Sequence, residues 1–436
     1  MTPRLRLAAA LIVAAVVAAA WPARAQAPAE TVRAVRLDNG LTVIVRENPV
    51  APVVAVALLV RMGARWETPD NAGISNFTHA VMVKGTARRS GGELAETVAG
   101  LGGKITASGD VDYSGIQGTA LARFWRQLLE ITAELALTPK LAPEEVDRER
   151  DWLLSRVQRR RDNAASRAFD ELYAALYGPH SYALPNLGTR ESLARIDHAA
   201  LVAWYRAFYR PERMVLAVSG HVSDSEVIAE ARRLFGGRPG AALPPDPAPA
   251  APRPRGGRVV VEQAAQQTQI LVGGLAPSLD HADHAAVKVL STILGGGMAG
   301  RLFVELRDRS ALAYSAASYY DPVREPGALV LYLGTAPDNA ARAEQALLRE
   351  VQKIRDAAVP AAELARAKGY LLGRYAMDRR TNERQAWYLA FYEIQNVGRA
   401  YPDRYRRQVE AVTAADVQRA AQTYLTTLTT IILGPR

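Results

Sequence analysis

Cysteine is absent from the 436-residue chain, and histidine occurs only six times. Without cysteine, disulfides and thiolate chemistry are excluded. Beyond the first residues, no stretch is apolar enough for the ~20-residue span of a transmembrane helix. Large blocks of one charge are missing as well, because the longest basic run is Arg159-Arg160-Arg161, within a helical pattern. Scattered charge of this kind argues against a nucleic-acid partner.

Residues 1–25 have the pattern of a secretory signal peptide. Arg4 and Arg6 precede an apolar run from Leu7 to Ala20, and the small-x-small sequence Ala23-Arg24-Ala25 follows it. A run of about 14 residues is too short to span a bilayer comfortably, although a retained anchor is the alternative. Cleavage after residue 25 removes three arginines and lowers the formal charge from +10 to +7. We expect a periplasmic or secreted chain without stable membrane insertion.

Residues 237–257 are dominated by proline, alanine and glycine and show no apolar period. This composition predicts a semi-extended linker. The linker divides the mature chain into an N-terminal domain, 26–236, and a C-terminal domain, 258–436. Each has about 200 residues, which is an ordinary domain size.

The two domains show a similar order of predicted elements. In the first, Asn39-Gly40 lies between two β-type runs and indicates a hairpin, and helices are predicted at Pro143–Arg161 and Leu193–Phe208. In the second, a strand predicted at Ala328–Gly334 precedes a long helix at Asn339–Ala358. Both domains end with a helix, an aromatic residue and an apolar strand. We infer a duplicated α+β domain in which helices pack on a mostly antiparallel sheet.

The segment 73–86 reads GISNFTHAVMVKGT. It resembles the active-site helix of the pitrilysin/insulinase zinc metallopeptidases, whose pattern is G-[LI]-x-H-F-x-E-H-x-x-F-K-G-T. Other segments match the family in character and order, from LDNGLTVIVRENP at 37–49 to ILGGGMAGRLFVELRDRSALAYS at 293–315. The resemblance spans essentially the whole mature chain. It implies a relative of the mitochondrial processing peptidase, with two homologous domains forming half of a clamshell.

The resemblance fails at the residues that would bind zinc. In the family, two histidines one turn apart grip the metal, and a glutamate between them acts as the base. The histidine positions are Asn76 and Ala80 here, the glutamate position is His79, and the third ligand, a later glutamate, corresponds to Arg156. A methyl group and a guanidinium have no lone pair to give. At an effective dielectric near 20, a +1/+2 pair about 4 Å apart repels by roughly 8 kcal/mol. We predict no metal in this chain.

The remaining histidines leave alternatives open. His79 is expected to be a hydrogen-bonded helical residue, with a metal-independent general base as the alternative. His281 and His284, three residues apart near a helix start, would suit a metal pair, but Asp280 as an N-cap and solvent-facing rings explain them as well. No other group reaches the three ligands of a catalytic zinc.

Arg307 and Tyr314 lie within the matched sequence LRDRSALAYS. The resemblance implies that an arginine and a tyrosine so placed face the substrate, and that the chain without the zinc motif supplies them in paired-subunit members. Arg307 would then hydrogen-bond a peptide carbonyl or an oxyanion, with Tyr314 as a second donor. The alternative is an ion pair of Arg307 with Glu305 or Asp308 and a packed tyrosine. Gly295-Gly296-Gly297 lacks the context of a phosphate-binding loop and is expected to end a helix.

The expected function is that of a non-catalytic, substrate-binding subunit of a heteromeric zinc endopeptidase. A zinc-bearing homologous peptidase subunit is the expected partner and would hold the zinc, while this chain would carry no cofactor and be inactive alone. Peptides or unfolded segments are the expected substrates. Two alternatives stay open, because function depends on the site rather than the fold. One is a non-proteolytic scaffold or peptide-binding protein of peptidase fold, and the other is a stand-alone hydrolase with an unrecognised site.

Overall fold

The computed structural model describes residues 32–240, 246, 249–321 and 323–435. The predicted signal peptide, 1–25, lies outside these residues. Within the described ranges, no helix combines the length and the apolar character needed to cross a membrane.

The first half contains a six-stranded sheet. Its strands are β1 (Val32–Arg36), β2 (Thr42–Glu47), β3 (Val53–Val60), β4 (Lys104–Gly109), β5 (Ser114–Leu121) and β6 (Met214–Gly220). They are ordered β1-β2-β6-β3-β5-β4, with β2 and β6 parallel and the other neighbours antiparallel. The helices are α1 (Ile74–Met82), α2 (Gly91–Gly100), α3 (Trp125–Leu137), α4 (Pro143–Asp162), α5 (Ala164–Tyr177), α6 (Arg190–Arg195), α7 (His198–Phe208) and α8 (Asp224–Phe235).

The second half contains a five-stranded sheet. Its strands are β7 (Gly257–Glu262), β8 (Thr268–Ala276), β9 (Ser315–Tyr320), β10 (Gly327–Thr335) and β11 (Thr429–Gly434). They are ordered β7-β11-β8-β10-β9, with β7 and β11 parallel and the other neighbours antiparallel. The helices are α9 (His284–Gly295), a π-helix (Phe303–Arg309), α10 (Ala340–Asp356), α11 (Ala361–Asp378), α12 (Asn382–Ile394), α13 (Tyr401–Ala411) and α14 (Ala414–Tyr424).

The two sheets share one topology once β1 is set aside. In spatial order, β2, β6, β3, β5 and β4 correspond to β7, β11, β8, β10 and β9. The parallel pair falls at the same place in both sheets. The predicted α+β class, with two mostly antiparallel sheets packed by helices, is therefore confirmed, and the matching topology supports an internal duplication.

Each half covers one face of the other half's sheet with a helix. α5 packs on β8 and β11, where Leu172 and Leu176 are fully buried in one core with Leu271 and Leu433. In the opposite direction, α12 packs on β3 and β6. Because α5 and α12 each bury their apolar side in the opposite half, the two halves form one packed unit.

Strand alternation explains how β3 serves two cores at once. Its sequence, VVAVALLV, is apolar at every position, as expected for a strand buried on both faces. Val56 and Leu58 join the core made with the first half's own helices, whereas Ala57 and Leu59 join the core that contains α12.

Some local predictions need correction. The single helix predicted over 193–208 is two helices, α6 and α7. Asp197 separates them because its side chain accepts a 2.7 Å hydrogen bond from the backbone N–H of Ala200 and so begins α7. By contrast, the helix predicted from Pro143 is confirmed as α4, with the proline in its first turn.

Candidate functional site

α1 carries three of the four positions that correspond to the metal site. It begins after Gly73, whose φ of 86° is disfavoured for other residues. A Cβ at Gly73 would also lie 2.6 Å from the backbone nitrogen of Gly188. The Glu67 carboxylate accepts hydrogen bonds from the backbone N–H groups of Gly73 (2.7 Å) and Ser75 (3.0 Å), although burial raises its pKa. The first turn of α1 is thus held by a buried acid.

His79 is a fully buried residue with both ring nitrogens engaged. It is 0% exposed, with Nδ1 2.7 Å from the carbonyl oxygen of Ser75 and Nε2 2.6 Å from the hydroxyl of Tyr209. Because a carbonyl can only accept, Nδ1 must donate, and Nε2 of the neutral ring accepts from the Tyr209 hydroxyl. Burial lowers the pKa of His79 from 6.5 to about 4. The ring is therefore neutral at physiological pH and has no free nitrogen for a metal or a substrate proton.

The other three positions offer no compensating ligand. Asn76 and Ala80 are half-buried on α1, and Nδ2 of Asn76 is buried without a hydrogen-bond partner. Arg156 lies on α4, which packs on α1, and its guanidinium carbon sits 4.7 Å from the Trp152 ring centroid. Arg156 forms no ion pair with any described residue, so its charge is not neutralised by a neighbouring acid.

These residues do not fit a zinc ion. Ala80 has no donor atom, the amide of Asn76 is a weak ligand, and Arg156 brings positive charge. Among the described residues, no group of three or more histidine, aspartate or glutamate side chains could hold a metal.

His281 and His284 lie in different environments. His284 is buried, with Nδ1 2.9 Å from the hydroxyl of Tyr320, which itself donates to the Pro277 carbonyl at 2.7 Å. The exposed His281 accepts a 3.0 Å hydrogen bond at Nδ1 from the backbone N–H of Asp283. The expectation of two solvent-facing rings was wrong for His284, because the helix start is buried against β9.

Arg307 and Tyr314 are both exposed in the second half. Arg307 lies on the π-helix with its guanidinium carbon 4.8 Å from the Phe303 ring centroid, whereas Glu305 pairs with Arg309 at 2.7 Å. Arg307 has no ion pair in the described part of the chain, so the alternative of a local partner at 305 or 308 is not seen. Tyr314 is 60% exposed, and its backbone N–H donates to the Gly334 carbonyl at 2.8 Å.

Arg307 and Tyr314 are not joined to positions 76, 79, 80 and 156. α1 packs mainly on β4, β5, α4 and α7, all in the first half, whereas the π-helix packs on β9 and α10 in the second. Within the described residues, no hydrogen bond or ion pair links Arg307 or Tyr314 to the four positions on α1 and α4. The two sets of residues therefore belong to different halves.

Two features of the site were not found from sequence. One is Tyr209, the hydrogen-bond partner of His79, which lies 130 positions away in the chain. The other is β4, the edge strand that packs against α1 so closely that a Cβ at Gly109 would be 2.8 Å from the backbone nitrogen of Asn76. The weak alternation of KITASG and its place after Gly102-Gly103 were the only local signals for this strand.

Comparisons with known proteins agree with this architecture. A model described as insulinase (peptidase family M16) matches residues 42–190, and one described as peptidase M16 inactive domain matches 195–371. An uncharacterized zinc protease of Mycobacterium leprae (strain TN) is 30% identical over 344 residues, covering 77% of this chain and 76% of the relative. One from Mycobacterium tuberculosis (strain H37Rv) is 29% identical over 422 residues, covering 95% and 94%.

Solved structures show the same fold. A protease from Helicobacter pylori superposes with a TM-score of 0.87 at 22% identity, covering 93% of this chain and all of that one. A peptidase M16 inactive domain from Pseudomonas fluorescens gives 0.85 at 24% identity, covering 93% and 98%. The fold is thus the two-domain fold of M16 peptidase-like proteins. The chain belongs to the insulinase family, peptidase family M16.

Proposed function

We propose that this chain is the non-catalytic, substrate-binding subunit of a heteromeric zinc endopeptidase. The observation that carries the proposal is the state of His79, which replaces the catalytic glutamate and is sealed in the core between Ser75 and Tyr209. A buried, fully hydrogen-bonded neutral ring cannot serve as the base for a hydrolytic water. The peptidase fold is retained while the chemistry of its metal site is lost.

Two exposed features support a role in binding peptides. Arg307 and Tyr314 are free to donate to a carbonyl or a developing oxyanion, which is the use of such donors in acyl transfer. β4 is a sheet edge beside α1, and an extended peptide can add to such an edge through main-chain hydrogen bonds. A zinc-bearing homologue would supply the metal and the base, and this chain would form the opposite wall of the chamber, as half of a clamshell.

Co-expression with a zinc-bearing homologue from the same source tests the proposal. Each chain alone, the pair, and the pair with Arg307→Ala would be assayed on a peptide library with and without chelator. We expect activity only in the pair, and a loss of roughly 100- to 1000-fold with Arg307→Ala, as for removal of an oxyanion donor. Arg309→Ala is the matched control, because Arg309 is also exposed on the π-helix but pairs with Glu305.

The outcomes separate the alternatives. Equal activity of the partner alone and of the pair would refute the assisting role and favour a scaffold or peptide-binding protein. Chelator-insensitive hydrolysis by the isolated chain would instead indicate a stand-alone hydrolase. Export to the periplasm or the medium is part of the same proposal, supported by the signal-peptide pattern, and N-terminal sequencing of secreted protein should begin at Gln26.

A further inference from the structure

A cavity of about 490 Å³ lies between the two halves, within the size range of small-ligand sites. The first half contributes residues from the turn after β4, from α4, from α5 and from the segment 182–187. The second half contributes the segment after β9, the start of β10 and α12. Six of the eighteen residues that line it are aromatic: Tyr113, Tyr173, Tyr177, Tyr182, Trp387 and Phe391.

The charged residues of the wall leave an excess of negative charge. They are Asp110, Asp170, Asp321 and Arg160. Arg160 and Asp170 neutralise each other through paired hydrogen bonds, of 2.9 Å from Nε and 2.7 Å from the guanidinium. Asp110 and Asp321 have no ion pair with any described residue. Both residues are exposed, and the Asp110 carboxylate accepts a 2.7 Å hydrogen bond from the backbone N–H of Val111. Two carboxylates thus act on the same space without a counterion in the wall.

Cations outside the wall, Lys288 and Arg384 among them, also act on its residues. The charge of Lys288 acts on Asp321 through space, and its ammonium also donates a hydrogen bond to the backbone carbonyl of Tyr320. The charge of Arg384 acts on the hydroxyl of Tyr113, but Arg384 forms an ion pair with Asp378 at 2.7 Å. Neither residue lines the cavity. Among the described residues of the wall, the one cation, Arg160, is paired with Asp170, so a cationic ligand would bring positive charge that the wall itself does not offer to Asp110 and Asp321.

We propose that this cavity binds a guanidinium or alkylammonium group carried on an aliphatic stem. The aromatic rings suit both parts of such a group, because they pack against the stem and attract the cation through their faces. Asp110 and Asp321 supply the counter-charge, which counts for more in a partly enclosed site than in water.

The cation has two possible sources with the same chemistry. Asp110 directly follows Gly109, the last residue of the edge strand β4, so that a peptide added to this edge would pass the cavity mouth with a lysine or arginine side chain. A free amine or guanidine is the other source. In its peptide form the inference rests on the proposed function and adds to it a preference for basic residues.

Calorimetry on the full mature chain, without any partner, tests the inference. The first probe pair is a capped decapeptide of alanine and serine with one central arginine, and the same peptide with citrulline, its neutral isostere. The second pair is n-butylguanidine and n-butylurea. For each probe pair that binds, we expect the Kd of the charged probe to be at least about tenfold lower than that of its neutral counterpart. This is the usual effect of a charge-assisted hydrogen bond. Binding of the peptide alone identifies a peptide side chain, and competition by butylguanidine identifies the cationic group itself.

Matched substitutions assign the effect to the cavity. Asp110→Asn and Asp321→Asn should each remove most of the preference for charge, whereas Asp38→Asn, at an exposed carboxylate outside the cavity wall, should leave it unchanged. Equal binding of charged and neutral probes to the wild-type chain, or no binding of either pair, would overturn the inference even if a variant failed to fold. Because no cleavage is measured, a negative result here would leave the test of the paired peptidase unaffected.

Discussion

Replacing His79 with glutamine should remove a defined part of the dependence of stability on pH. The folded chain holds this histidine neutral with a pKa of about 4, against 6.5 for the free side chain. Between these two values the unfolded chain binds a proton that the folded chain does not. The free energy of unfolding therefore falls as the pH is lowered through this window. The difference between the two pKa values corresponds to about 3 kcal/mol in the free energy of unfolding. Solvent does not screen this effect, because the side chain is 0% exposed.

The assay is urea unfolding at pH 7 and at pH 4.5. His79→Gln should lower the free energy of unfolding at pH 7 by about 1–3 kcal/mol, because Tyr209 and Ser75 lose well-placed partners. Between the two pH values, however, the wild type should lose about 2–3 kcal/mol more than the variant. His221→Gln, at an exposed histidine, should behave like the wild type in its pH dependence. Equal pH dependence in wild type and His79→Gln would refute the reasoning, since it would mean that the ring is open to water and protons.

Three further predictions concern the fold. Leu172→Ala, in the core between α5 and the second sheet, should cost about 2–5 kcal/mol in chemical denaturation while leaving one cooperative transition; two separate transitions would contradict the joint packing of the halves. Asn382→Ala should lower the free energy of unfolding by about 1–3 kcal/mol in the same measurement, because the Asn382 amide forms hydrogen bonds of 2.8–3.3 Å with Asn48, Ser219 and Val53 of the first half. An unchanged midpoint of denaturation would contradict this contact. Ser90→Ala, at the capping box of α2, should cost about 1 kcal/mol and leave binding at the cavity unchanged, and altered probe affinity would show unexpected coupling.

Local sequence signals predicted the elements that local chemistry determines. Asn39-Gly40 marks the β1–β2 hairpin, with Gly40 at a φ of 90°, and Pro143 begins α4. The repeated order of elements also indicated the duplication, because the pattern of apolar residues recurs in each half. The substitutions at 76, 79, 80 and 156 could be recognised from the spacing of a known motif alone.

Features that depend on distant contacts were not predictable. α5 and α12 each pack on the sheet of the opposite half, and the sequence does not indicate which sheet a helix covers. A strand such as β3 is apolar on both faces whichever helix covers it, so its sequence does not identify the helix. The His79–Tyr209 hydrogen bond joins residues that no local pattern relates. The cavity likewise combines turns from both halves, so that Asp110 and Asp321 appear in the sequence as ordinary loop residues.

The absence of a metal site on this chain can be tested by metal analysis. The purified chain would be incubated with excess zinc, desalted and analysed by mass spectrometry for metal content. We expect no zinc above the buffer level, because an amide, a methyl group and a guanidinium occupy the three ligand positions and a buried imidazole replaces the base. One zinc retained per chain, and lost on Asn76→Ala, would contradict it.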